Sequence, residues 1–205
     1  MEFTNEGFEF IKKEFIKKEY SSFVDKILKD TEFSKLRSSK GLGFFLKNYI
    51  QLVNTQDVFD FIQYIRESDK VLIQSIMNLE ETLLIVEINA FSSTENCVEC
   101  FNSVAKIKKI CTNSLIISEC LVALADVLCI NNKYKEAYAS YLEILSLLKK
   151  ESDEEHLSMK GIALLNLSIL FESINDLENM FLYMEQADDL FSKLKKSKYY
   201  SDFLL

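Results

Sequence analysis

A chain of 205 residues in which 48% are hydrophobic and 27% charged can bury a sizeable core and has the balance of a globular protein rather than a disordered one. The absence of proline and the presence of only 4 glycines remove the residues that build hairpin and barrel turns, so an all-α fold is expected. A net charge of -8 argues against nucleic acid as a partner, because phosphate binding needs a basic surface.

The chain opens Met1-Glu2-Phe3-Thr4-Asn5-Glu6, without the basic start and apolar stretch of a signal peptide. Asn5 is placed to cap a helix from about Glu6 to Lys29, with Phe8, Ile11, Phe15, Phe23 and Ile27 on one face. A short helix is expected after Thr31, and Gly41 with Gly43 then marks a junction, which makes 1–40 an N-terminal helical segment. Beyond it, polar clusters punctuate the chain at Asn54-Thr55-Gln56-Asp57, Ser92-Ser93-Thr94, Thr112-Asn113-Ser114, Asn131-Asn132, Glu151-Ser152-Asp153 and Asn175-Asp176. Each supplies side chains that cap the open amides of a helix start. The stretches between them have ordinary helix lengths and helical apolar spacing, and helices joined by such short links pack antiparallel. Apolar runs such as Leu83 to Val86 end long before the roughly 18 residues of a membrane span. Residues 197–205, with Tyr199, Tyr200 and Phe203, read as a capping helix or the start of a further one.

The last third repeats itself. Leu121, Leu124, Ala125 and Leu128 are followed, across Asn131-Asn132, by Tyr134, Ala137, Tyr141 and Ile144. The same order returns in Leu164, Leu167, Ser168 and Phe171, followed by Met180, Met184 and Ala187. Looser copies run through Leu84, Ile85, Ile88, Cys97, Phe101 and Val104, and through Leu42, Phe45, Leu46, Tyr49, Val58, Ile62 and Ile65. A small residue where two helices cross lets their backbones approach, and the large residues fill the groove beside it. This pattern resembles the tetratricopeptide repeat over residues 42–195, with a period of about 40 residues against the family's usual 34 or so. Leu46 and Ile85 stand where the family has a small residue, and Met180 replaces another.

The resemblance implies about four antiparallel helical hairpins over 41–196, stacked as an α-solenoid whose first helices line a concave groove. The family's groove positions fall on Lys47, Val86, Asn89, Val122, Asp126, Leu165 and Ile169. Val122 with Asp126 and Leu165 with Ile169 lack the Lys and Asn that clamp a terminal carboxylate in chaperone-binding members, so an apolar or helical segment of another protein or peptide is the implied partner. The function expected is a non-enzymatic scaffold or adaptor, a subunit of a larger complex. The alternative is a peptide-sensing regulator similar to the bacterial peptide-pheromone receptors, although residues 1–40 offer no convincing recognition helix.

Other chemistry finds little support in the sequence. Cys97 and Cys100 form a C-x-x-C without two further zinc ligands, and Cys97 falls on a small-residue position of the repeat. The lone His156 has no serine or cysteine motif around it to serve as a general base. Glu80-Glu81, Glu154-Glu155 and Asp188-Asp189 point about 100 degrees apart on a helix and make no dyad. Phe181, Tyr183, Met184 and Phe191 read as core rather than as an adaptable surface. No cofactor, metal, nucleic acid or membrane is expected as a partner. Five cysteines, an odd and scattered set, suit reduced thiols in the cytoplasm or nucleus.

Overall fold

A computed structural model describes residues 20–29, 41–43, 45–46, 55–68 and 78–194, and every regular element among them is helical. The helices are α1 (Tyr20–Lys29), α2 (Thr55–Ser68), α3 (Leu79–Ser93), α4 (Cys97–Ile110), α5 (Ser114–Ile130), α6 (Tyr134–Leu147), α7 (Glu154–Ser173) and α8 (Leu177–Leu194), with residues 41–43 and 45–46 also helical. None of the described helices is long and apolar enough to cross a membrane. The part of the expected first helix before Tyr20, the expected helix after Thr31, Lys47 and residues 197–205 lie outside the described residues. The chain divides into two compact units, Met1–Ala90 and Phe91–Leu205.

The first unit has one core. Tyr20, Phe23 and Val24 of α1 join Leu42, Phe45 and Leu46, then Val58, Phe61, Ile62 and Ile65 of α2, and Leu79, Leu83 and Val86 of α3. Phe23 meets Phe61 edge-on at 5.3 Å and Phe45 at 5.8 Å between ring centroids, the tilted geometry that aromatic quadrupoles favour. Arg66 at the end of α2 ties this unit to itself by reaching Glu80 at 2.7 Å and Glu87 at 2.5 Å. Gly41 and Gly43 are helical, not a break, and residues on both sides of them share this core. Gly43 is there for close approach: a Cβ at this position would sit 2.8 Å from Thr82 Cγ2 on α3.

In the second unit consecutive helices pack against one another from α4 to α8, and α5 also packs against α7. The expected small positions are buried: Cys97, Ala125, Ala137, Ser168 and Ala187. Gly161, midway along α7, leaves room for the ring of Phe191 on α8, whose Cζ lies 2.6 Å from where a Cβ would be. Three of the polar clusters cap the helix that follows, whereas α6, after Asn131-Asn132, starts from Lys133 without a side-chain cap. Asn113 Oδ1 accepts from Leu115 N at 2.9 Å, Asp153 Oδ1 from His156 N at 3.2 Å and Asp176 Oδ1 from Asn179 N at 3.1 Å. Asn96 does the same for α4, accepting from Glu99 N at 3.3 Å.

One turn recurs. Helices α3, α5 and α7 each end on a residue with positive φ, Glu95 (57°), Asn132 (57°) and Asn175 (61°). Each is closed by the same two hydrogen bonds. Asn96 N to Phe91 O, Lys133 N to Leu128 O and Asp176 N to Phe171 O measure 2.9, 2.8 and 2.9 Å. Glu95 N to Ser92 O, Asn132 N to Cys129 O and Asn175 N to Glu172 O measure 3.1, 2.9 and 3.0 Å. This is the Schellman arrangement, which satisfies the last carbonyls of a helix by one left-handed residue. The Cβ of any residue but glycine crowds the following carbonyl there, and Asn offsets this with local hydrogen bonds of its short side chain more readily than Glu. Glu95→Gly is therefore expected to stabilise the protein by about 1 kcal/mol and Asn132→Val to destabilise it by about 1–2 kcal/mol. Urea unfolding should show the two midpoints moving in opposite directions with unchanged slope.

Candidate functional site

Helix α5 carries Val122 and Asp126 one turn apart, and α7 carries Leu165 and Ile169 one turn apart, so each pair occupies one face of its helix. The two helices are joined through a single buried hydroxyl. Tyr141 of α6 is 2% exposed, and its OH donates to Asp126 Oδ1 at 3.0 Å while Asn166 of α7 hydrogen-bonds to the Tyr141 hydroxyl. A phenol taken from water needs such partners, and with a donor and an acceptor met it has no strong valence left for a ligand. Burial, followed by the charge of Asp126, pushes the Tyr141 hydroxyl far above its ordinary value, so it stays protonated and donating. The protein packed around Asp126 raises its carboxyl above the usual range, with the Tyr141 hydrogen bond opposing, although the residue keeps solvent-exposed surface.

Above this polar floor the walls are apolar. Leu165 is 40% and Ile169 52% exposed, while Val122 is half-buried. Thus four of the sequence-selected positions, Val122, Asp126, Leu165 and Ile169, keep accessible surface on α5 and α7, two helices of the second unit that pack against each other. In the first unit Val86 is fully buried in the core and offers no surface, and the half-buried Asn89 turns its amide back onto Ile85 O at 2.7 Å. Lys47 is outside the described residues.

A second concavity, of about 260 Å³, opens between α4 and α6 over Leu121, Leu124 and Leu128 of α5. Phe101, 58% exposed, stands at its lip, and Lys108 pairs with Glu143 at 2.5 Å beside it. The sequence reading placed Phe101 only as a repeat position. It also treated Phe181, Tyr183, Met184 and Phe191 alike, whereas the structure separates them. Tyr183 stacks on Phe171 at 5.4 Å and Phe191 lies against Gly161, but Phe181 and Met184 are exposed.

His156 has neighbours that spacing did not reveal. Its Nδ1 lies 2.6 Å from Asp153 Oδ2 and its Nε2 3.1 Å from Ser114 Oγ. This is the connectivity of a serine nucleophile, its base and an orienting carboxylate. The helix-start amides beside Ser114 that would receive an oxyanion, those of Leu115 and Ile116, are already taken by Asn113 Oδ1 at 2.9 and 3.3 Å. The set works as a clasp between the start of α5 and the start of α7. Glu151, Asp153 and His156 also form a group, among the described residues, whose ligand atoms lie within 4.8 Å of one another, but both imidazole nitrogens are engaged in the clasp. The His156 hydrogen bonds hold the Asp153 carboxyl below its ordinary value. No disulfide joins the cysteines, and burial, with Cys97 beside it, pushes the Cys100 thiol up to about 12, which removes it as a nucleophile at neutral pH.

The Asp126 environment has a pH signature. Its folded-state pKa lies above the ordinary value of 3.8, so the native state binds the proton more tightly and this group's contribution to stability falls as pH rises through that range. Asp126→Asn, which still accepts from Tyr141, is expected to raise the Tm at pH 7, with the difference closing as the pH falls below 4 or so. Tyr141→Phe is expected to cost about 1–2 kcal/mol by leaving Asp126 and Asn166 without their shared hydroxyl.

Compared with protein-family models, curated proteins and solved structures, the chain matches none.

Proposed function

We propose that this protein is a non-enzymatic interaction scaffold, a subunit or adaptor of a larger complex. In this reading its helices form antiparallel hairpins stacked as a tetratricopeptide-like solenoid, and α5 and α7 present one stretch of a partner-binding groove. The observation that carries the reading is the exposure of apolar Leu165 and Ile169 on a helix tied to α5 through the buried Tyr141 hydroxyl. Exposed apolar side chains gain by excluding water under another surface. The recurrent turn after α3, α5 and α7 and the packing of α5 on both α6 and α7 support the stacked arrangement.

The test compares the tagged protein with its Leu165→Asn and Ile169→Asn variants in gentle purification from the native cell, followed by quantitative mass spectrometry. Both changes are polar, uncharged and at exposed positions, so circular dichroism should show helicity retained. A stoichiometric partner recovered with the parent protein should fall about tenfold or more with either variant, the loss typical of removing a contact worth about 1.4 kcal/mol or more. Phe101→Asn, across the other concavity, should leave recovery unchanged. Equal recovery with the parent and both wall variants would defeat the assignment of the groove.

A further inference from the structure

The groove has a charge and a backbone requirement that together narrow its occupant. On α5 the face that carries Val122 and Asp126 extends one turn back to Glu119, and on α7 the face of Leu165 and Ile169 extends to Glu172. Glu119 and Glu172 are exposed. Helix α5 contains no lysine or arginine. The only such residue of α7, Lys160, donates through Nζ to Glu151 O at 2.6 Å, at the end of the helix remote from Glu172. On these faces of α5 and α7 the exposed charged side chains are therefore carboxylates, Glu119, Asp126 and Glu172, on a chain whose net charge is -8.

The second requirement comes from the walls. The side chains of Val122, Leu165 and Ile169 offer neither donors nor acceptors, and the Tyr141 hydroxyl that links α5 to α7 is already bonded to Asp126 and Asn166. An extended segment laid on this surface would bury main-chain amides and carbonyls with nothing to meet them. A helix satisfies its own backbone and presents apolar rows that fit the hollow between two packed helices.

Resting on the groove reading above, we propose that the occupant is an amphipathic helix of a partner protein whose apolar row is flanked by lysine and arginine. The apolar row covers Val122, Leu165 and Ile169, and the flanking cations face Glu119, Asp126 and Glu172. The carboxylates confer selectivity and faster encounter, while the apolar contacts hold the complex.

Fluorescence anisotropy of the full chain with three labelled helical peptides tests this. The peptides share one apolar face and differ only in flanks of Lys and Arg, of Gln, or of Glu. The basic peptide is expected to bind about tenfold more tightly than the Gln peptide, with the acidic one weakest, and the preference should shrink as salt rises. The Glu119→Gln, Glu172→Gln double variant should abolish the preference without weakening the Gln peptide. Leu165→Asn and Ile169→Asn should weaken all three. Equal affinity for the three peptides, with Ile169→Asn still weakening them, would overturn the charge selectivity and leave the groove standing. Saturable binding of no peptide would overturn the helical occupant, and binding that ignores Leu165→Asn and Ile169→Asn would overturn the groove itself.

Discussion

The constraint on which the second unit depends is the single left-handed residue that ends α3, α5 and α7. A helix has carbonyls left over at its C-terminus, and a chain without proline and nearly without glycine has few ways to satisfy them while reversing. The same pair of hydrogen bonds closes all three ends, so the next helix starts within a few residues, and α6 packs on α5 and α8 on α7. Asn132 and Asn175 suit the conformation. Glu95 is held in it by the surrounding structure, with Asn131 Nδ2 donating to its carbonyl oxygen at 3.3 Å.

From that regularity follows the packing of α5 on α7, and from that packing follows the need for Tyr141. A tyrosine at the meeting of three helices brings a hydroxyl where water does not reach, and Asp126 and Asn166 answer it from two different helices. A buried polar group of this kind adds little net stability. It penalises any arrangement of the three helices that leaves the hydroxyl unpaired.

The hydrogen bonds of Ser114, His156 and Asp153 join the start of α5 to the start of α7. Two distances match a nucleophile and its base, but the amides of Leu115 and Ile116, which would complete the site, serve the cap of α5. Asp153 caps α7 and orients His156 at once, and His156 carries that restraint across to Ser114. The outcome is a link between two helix starts that are distant in sequence.

The sequence by itself determined the helices and their ends, because capping and apolar periodicity are local: Asn113, Asp153 and Asp176 sit where their side chains meet the open amides, and Ala125, Ala137 and Ser168 mark crossings. Two local signals misled. Gly41 and Gly43 read as a break, yet both are helical, and the missing side chain of Gly43 leaves room for Thr82. Val86 held a groove position in the repeat pattern, yet it is core, since the face a helix exposes depends on what packs on it. Only the tertiary structure could bring Ser114 to His156, Asn166 to Tyr141 and Phe191 to Gly161. Those meetings are fixed by how helices far apart in the chain pack together, a property that no window of neighbouring residues contains.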